Sequence, residues 1–192
     1  MLSQAESSKI FADSGALLTG HFLLTSGRHS DLYMQCAQAL KNPVATEALC
    51  KSLAESFKDE QVELVVGPAM GGIIVAYELA RQLGVEGIFC ERENGKMSLR
   101  RNFTIQPGQR VLVCEDVVTT GGSVQEVIEA VTEAGGKVIG VALLVDRTGG
   151  KANFAVKQAA ALTMNISSWE ADDCPLCKQG SAPTKPGSRS KS

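Results

Sequence analysis

The stretch "VLVCEDVVTTGGS", residues 111–123, decides the fold. It begins as an apolar run, turns acidic at Glu115 and Asp116, and closes on Thr119, Thr120, Gly121, Gly122 and Ser123. A short apolar run ending in a glycine turn predicts a buried strand. The residues that follow, "GSVQEVIEAVTEAGG", have helical periodicity and close on Gly135. The unit is therefore strand, glycine turn, helix. Two adjacent carboxylates at the end of such a strand cost desolvation energy unless something pairs with them. The free N–H groups at the helix start, with the Thr and Ser hydroxyls, make a cradle for a phosphate. Glu115 and Asp116 then stand where they can accept hydrogen bonds from the vicinal hydroxyls of a sugar carrying that phosphate, with or without a bound cation. A Walker A loop is excluded because no Lys follows the glycine turn. A dinucleotide fingerprint is excluded because no G-x-G-x-x-G opens a helix after a strand.

Outward from this unit the chain alternates. Upstream, "VELVVG" predicts a strand, "GGIIVAYELARQLG" a helix stopping at Gly84, and "EGIFCE" a second strand. Downstream, "KVIGVALLVDR" and "ALTMNIS" predict two more. Uniformly apolar strands alternating with helices predict an α/β fold, a mainly parallel sheet flanked by helices, with its site at the carboxyl ends of the strands. Three such ends carry unusual residues: "GPAMGG", "EDVVTTGGS" and "VDRTGG". Nearer the N-terminus, residues 4–13 predict a short helix, and "GHFLLTSGRHSDLYMQC" two extended runs around a Ser-Gly-Arg turn. Asn42 and Pro43 predict a capped start for an amphipathic helix over 43–58, with Leu49, Leu53 and Phe57 on one face. Residues 92–109 read as a polar, basic interlude, and 178–192 as a basic tail expected to be disordered. One domain, residues 1–177, with a small N-terminal part over about 1–40, accounts for the rest.

The 192 residues carry a formal net charge of −2, which argues against a nucleic-acid partner. No apolar run is long enough to span a bilayer, and the N-terminus has no signal-peptide pattern, so a cytoplasmic protein is expected. Cys36, Cys50, Cys90 and Cys114 read as reduced core residues. Cys174 and Cys177, in "CPLC", could be half a zinc site or a redox pair. A structural site needs four ligands, no second C-x-x-C exists, and His21 and His29 are distant in sequence, so inert thiols are the favoured reading. His29 reads as a surface or hydrogen-bonding residue.

"VLVCEDVVTTGGS" closely resembles the phosphoribosyl-pyrophosphate (PRPP) signature of type I phosphoribosyltransferases. "FLLTSGRHSDLYMQC" resembles the hood of the orotate phosphoribosyltransferases within that family. "GPAMGG" is similar to the family's pyrophosphate loop, and "VDRTGG" to its strand end bearing an orotate-binding Arg. The resemblance covers about residues 8–170. It implies transfer of the phosphoribosyl group from PRPP to orotate, giving orotidine 5-monophosphate and pyrophosphate, in pyrimidine biosynthesis. It implies Mg²⁺ as cofactor, held mainly through PRPP with no firm protein ligand, and a homodimer. Glu115 and Asp116 would hold the ribose hydroxyls, and Thr119, Thr120, Gly121, Gly122 and Ser123 the 5-phosphate, with Val117 and Val118 completing the PRPP contact. Ala69, Met70, Gly71 and Gly72 would form the pyrophosphate loop. Thr119, Arg147, Tyr33 and Met34 would line the orotate site.

The resemblance further implies a mobile basic loop shared across subunits, here "ERENGKMSLRRNF". Arg92 and Lys96 are assigned to PRPP and to catalysis alongside Asp116, and Arg100 and Arg101 remain alternatives. The chain departs from the family in three places. Gly71 and Thr25 stand where many members have Lys, and the basic loop lacks the usual His. Two rival readings remain open: a phosphoribosyltransferase for another base such as a purine, and a non-catalytic PRPP-sensing regulator on the same fold.

Overall fold

The computed structural model describes residues 1–24 and 26–186. In chain order the elements are α1 (Gln4–Asp13), β1 (Leu17–Leu23), β2 (His29–Met34), α2 (Cys36–Leu40), α3 (Pro43–Phe57), β3 (Leu64–Pro68), α4 (Gly71–Leu83), β4 (Glu86–Glu93), β5 (Lys96–Leu99), β6 (Arg110–Val118), α5 (Gly122–Glu133), β7 (Lys137–Asp146), β8 (Lys157–Thr163) and α6 (Pro175–Lys178), with a 3₁₀ turn at Ala171–Asp173. A six-stranded sheet runs in the order β5-β4-β3-β6-β7-β8. All its pairings are parallel except β4 with β5. The expected α/β architecture is present, and β1 and β2 form a separate antiparallel hairpin, the hood.

The period of two along β6 divides the core. Leu112 and Cys114 face the layer of α3 and α4, packing with Leu49, Leu53, Phe57, Val75 and Leu79. Val111 and Val113 face α5, packing with Val124, Val127 and Val131. Continuing the alternation sends Asp116 toward α4 and Glu115 toward α5. The starts of α1 and α3 follow their caps. Ser3 and Glu6 make a capping box, and the Asn42 side chain accepts from Val44 and Ala45 N–H, with Pro43 in the first turn.

Three expectations change. The interlude after residue 92 is in part a β-hairpin: β4 extends to Glu93 and turns at Asn94-Gly95 into the edge strand β5. The last strand lies at 157–163, not 161–167, because β8 pairs Gly140–Asp146 of β7 with Lys157–Thr163. The start of the tail is docked: the Thr184 N–H donates to the His21 carbonyl, and the Leu23 N–H to the Thr184 carbonyl. Residues 187–192 and Thr25, a point of departure from the family, lie outside the described residues. Among the described residues no helix is long and apolar enough to cross a membrane.

Candidate active site

Three strand ends meet at the carboxyl edge of the sheet. At the end of β6, Glu115 is buried at 7% exposure. Burial, and then the neighbouring Asp116 carboxylate, push its pKa up from 4.5 to about 9. Burial also raises Asp116. The bonds these side chains accept are local: Asp116 N–H donates to Glu115 Oε1 at 3.0 Å, and Val117 N–H to Asp116 Oδ1 at 2.8 Å. No salt bridge among the described residues neutralises either. An acidic pair, Glu115 buried and Asp116 half-buried, without a salt-bridge partner is poised for a ligand with hydroxyl donors.

The glycine turn opens α5 at the end of β6. Gly121 precedes α5 with φ +85°, a left-handed conformation that disfavours side chains, and Phe154 packs close to its Cα. Residues 117–124, with Glu115, line a cavity at this turn. The 69–72 loop lies beside Asp116. A Cβ at Gly71 would stand 2.2 Å from Asp116 Oδ2. The family's Lys is therefore incompatible with this placement of Asp116, which accounts for glycine here. That same closeness puts the 69–72 loop and the acidic pair in one site.

At the end of β7, Asp146 builds the turn that presents Arg147. Its carboxylate accepts from Thr148 N–H and Oγ1 at 2.7 Å each, and from Gly150 N–H at 3.1 Å. The Arg147 backbone N–H donates to the Val118 carbonyl, tying this turn to the acidic strand. Arg147 Nε is buried with no partner. Burial lowers its pKa, while Tyr33 and Cys36 nearby favour its charge. The Cys36 thiol reaches the Asp116 carbonyl at 3.6 Å, joining the hood to the site. Reading the sequence missed Asp146, Phe154 and Cys36. Asp146 was legible as an Asp two residues before a Thr in a Gly-rich turn.

Within its own chain the basic hairpin lies along α5, Arg92 meeting Glu126 about one turn from Gly122 and Lys96 meeting Glu133 farther along. Arg92 pairs with Glu126 at 2.6 Å, Lys96 with Glu133 at 2.9 Å, Arg100 with Glu93 at 3.3 Å and Arg101 with Glu91 at 2.8 Å. Glu133 lies 11 residues along α5 from Gly122, about 16 Å at 1.5 Å per residue.

Comparison with known proteins decides the family. Residues 37–155 match the phosphoribosyl transferase domain. Orotate phosphoribosyltransferase of Desulforamulus reducens is 57% identical over 188 residues, 98% of each chain. That of Heliobacterium modesticaldum is 56% identical over 190 residues, 98% of this chain and all of the relative. The chain belongs to the orotate phosphoribosyltransferases. Among solved structures, the enzyme of Mycobacterium tuberculosis in complex with inorganic phosphate superposes with a TM-score of 0.70 at 27% identity, covering 84% of this chain and 95% of that one. An adenine phosphoribosyltransferase of Thermoanaerobacter pseudethanolicus, 20% identical over 69% of this chain and 88% of that one, also shares the fold, with a TM-score of 0.59. The fold thus leaves the base open, whereas the full-length relatives bear the orotate name.

Proposed function

We propose that this chain transfers the 5-phosphoribosyl group of PRPP to orotate with the residues gathered at these three strand ends. The observation that supports the reading is the buried Glu115 with the half-buried Asp116 beside it, neither in a salt bridge, next to the glycine turn of α5 and the 69–72 loop. The carboxylates would take the ribose hydroxyls, residues 119–123 the 5-phosphate, and the N–H groups of the 69–72 loop the pyrophosphate. Arg147, with an unpartnered buried Nε, would meet the anionic edge of orotate, and Tyr33 and Met34 would close that side. A guanidinium suits this role because its fork meets two acceptors at once.

Displacement at the anomeric carbon passes through a cationic, oxocarbenium-like state and needs no protein nucleophile. Catalysis then comes from position and charge. The acidic pair fixes the ribose beside the developing cation, and the basic hairpin takes charge from the departing pyrophosphate. Mg²⁺ held through PRPP would neutralise the pyrophosphate as it leaves.

We further propose a cytoplasmic homodimer in which Arg92 and Lys96 serve the partner's site. Two features support this. The Lys96–Glu133 pair is exposed, worth about 0.2–1 kcal/mol, and an incoming pyrophosphate can displace it, whereas Arg92 meets a half-buried Glu126. The outer face of α4 exposes Met70, Ile74 and Tyr77 in a stripe that starts at the pyrophosphate loop, an apolar face suited to a second copy. The test is loss of orotate absorbance on adding PRPP and Mg²⁺, run beside a panel of purine bases. Turnover of a purine but not of orotate would overturn the base assignment, and DNA binding without any turnover would favour a regulator.

A further inference from the structure

Away from the transfer site, four side chains from the two ends of the chain converge. One ligand-type atom from each of His21, His29, Cys174 and Cys177 lies within 4.8 Å of all the others. His21 Nε2 is 2.9 Å from His29 Nδ1, 3.5 Å from Cys174 Sγ and 3.8 Å from Cys177 Sγ. Cys177 Sγ is 3.3 Å from His29 Nδ1. We propose that these four residues form a structural Zn²⁺ site that clasps the hood hairpin to the C-terminal segment.

The distances carry the proposal first. With Zn–N of about 2.0–2.1 Å and Zn–S of about 2.3 Å, a tetrahedral ion sets its ligand atoms about 3.3 Å (N to N), 3.5 Å (N to S) and 3.8 Å (S to S) apart. The four separations above fall within about half an ångström of those edges. Donor chemistry agrees: a closed N₂S₂ set suits zinc and not the hard cations magnesium or calcium. Two thiolates and two neutral imidazoles also cancel the charge of a divalent ion, which a buried site needs. Cys174 is fully buried, His21 and His29 are 7% and 6% exposed, and Cys177 is half-buried, so three of the four ligands are withdrawn from solvent and all four positions are filled by protein, as in structural zinc sites. The second nitrogen of His21, Nδ1, lies 3.2 Å from Ser181 Oγ, a partner that turns Nε2 toward the cluster.

The local structure explains how residues so far apart in sequence meet. Leu23 pairs with His29 across the hairpin, so His21, two residues earlier, stands diagonal to His29 on the same face. The His29 and Trp169 backbones exchange both hydrogen bonds, at 2.8 and 2.9 Å. Around that bridge Ser30 Oγ donates to the Ser167 carbonyl, and Arg28 pairs with Glu170. This contact delivers the Cys174–Cys177 turn to the two imidazoles. A metal there would lock the hairpin that carries Tyr33 and Met34, a positional role independent of the chemistry of transfer.

The full chain, expressed in zinc-containing medium and purified under reducing conditions without chelator, should carry about one zinc per chain by mass spectrometry of the metal. Cys177→Ser should lose most of it. Chelator should lower the Tm of the wild type by several degrees and leave that of the Cys177→Ser variant unmoved. Should the variant fail to fold, titrating Co²⁺ into metal-depleted wild type decides the matter. Tetrahedral thiolate-bound cobalt gives intense visible bands together with sulfur-to-metal charge transfer in the near ultraviolet. The proposal is overturned if reduced, folded wild type holds less than about a tenth of an equivalent and gives no cobalt spectrum on titration. Undiminished zinc in Cys177→Ser, or a Cys174–Cys177 disulfide whose reduction leaves the protein unable to take up metal, overturns it equally.

Discussion

Replacing Glu115 by Gln should stabilise the ligand-free protein while crippling it as a catalyst. Gln keeps the shape, and its amide oxygen can still accept the Asp116 N–H that Glu115 Oε1 receives at 3.0 Å. What it removes is a group whose folded pKa is raised from 4.5 to about 9, by burial and then by Asp116. For a raised carboxyl the folded chain holds a proton that the unfolded chain has released between those two values. Stability is therefore highest below about pH 4.5 and falls as pH rises toward 9, by about 1.4 kcal/mol per pH unit for one proton. Between about pH 6 and 8 the wild type should lose about 2.7 kcal/mol relative to the Gln variant, whose side chain does not titrate. Urea unfolding of both proteins, without PRPP, at several pH values across that range measures the difference. Asp116 remains in both but loses its interaction with the Glu115 carboxyl in the variant, so its own titration adds to the difference. Parallel pH profiles would show that Glu115 is ionised in the folded chain and would refute the unpaired buried pair on which the site assignment rests.

Asp116→Asn should leave the fold intact and reduce kcat/KM about ten- to a hundredfold, since a hydrogen bond to a charged acceptor is worth about 1.5–3 kcal/mol; unchanged kinetics would remove Asp116 from the site. Arg147→Ala should raise the KM for orotate and spare that for PRPP, and the reverse pattern would mean the two subsites are exchanged. Gly71→Ala places a methyl 2.2 Å from Asp116 Oδ2, so the carboxylate must turn away; the KM for PRPP should rise about tenfold, the worth of one hydrogen bond, with Tm nearly unchanged. Finally, mixing Arg147→Ala subunits with Arg92→Ala/Lys96→Ala subunits should restore roughly a quarter of wild-type activity, because half the dimers are mixed and each mixed dimer holds one intact site. No recovery, with heterodimers shown to form, would place the hairpin in its own chain's site.

The parts of this molecule legible in the sequence are those that local rules determine. The strand at 110–118, the turn at Gly121 and the helix after it follow from apolar run, glycine and period within one short window. The same holds for the Asn42-Pro43 start of α3. The errors lie where tertiary pairing chooses. β5 is an edge strand with an exposed Lys96 and polar neighbours, the composition that edges carry and that reads as loop. β8 is built on alanines, which have little strand preference of their own, so its bounds come from the ladder with β7.

Gly71 and the two histidines show the same limit at the level of sites. Against the family pattern Gly71 looks like the loss of a functional lysine, and only the structure shows that Asp116 Oδ2 occupies the space a side chain there would need. His21 and His29 stand more than 140 residues from Cys174, and counting ligands along the sequence left "CPLC" two short of a site. Separation along a chain is a poor guide to distance when both segments join one scaffold, here the hairpin bridged through His29 and Trp169. The hairpin held part of the signal: seven residues separate the two histidines, with a Ser-Gly turn between them, although β1 is irregular at His21, where the register shifts. What it could not hold is the partner strand's identity, and with it the reason Ser181 and Thr184 pack against the hood despite a composition that predicts disorder.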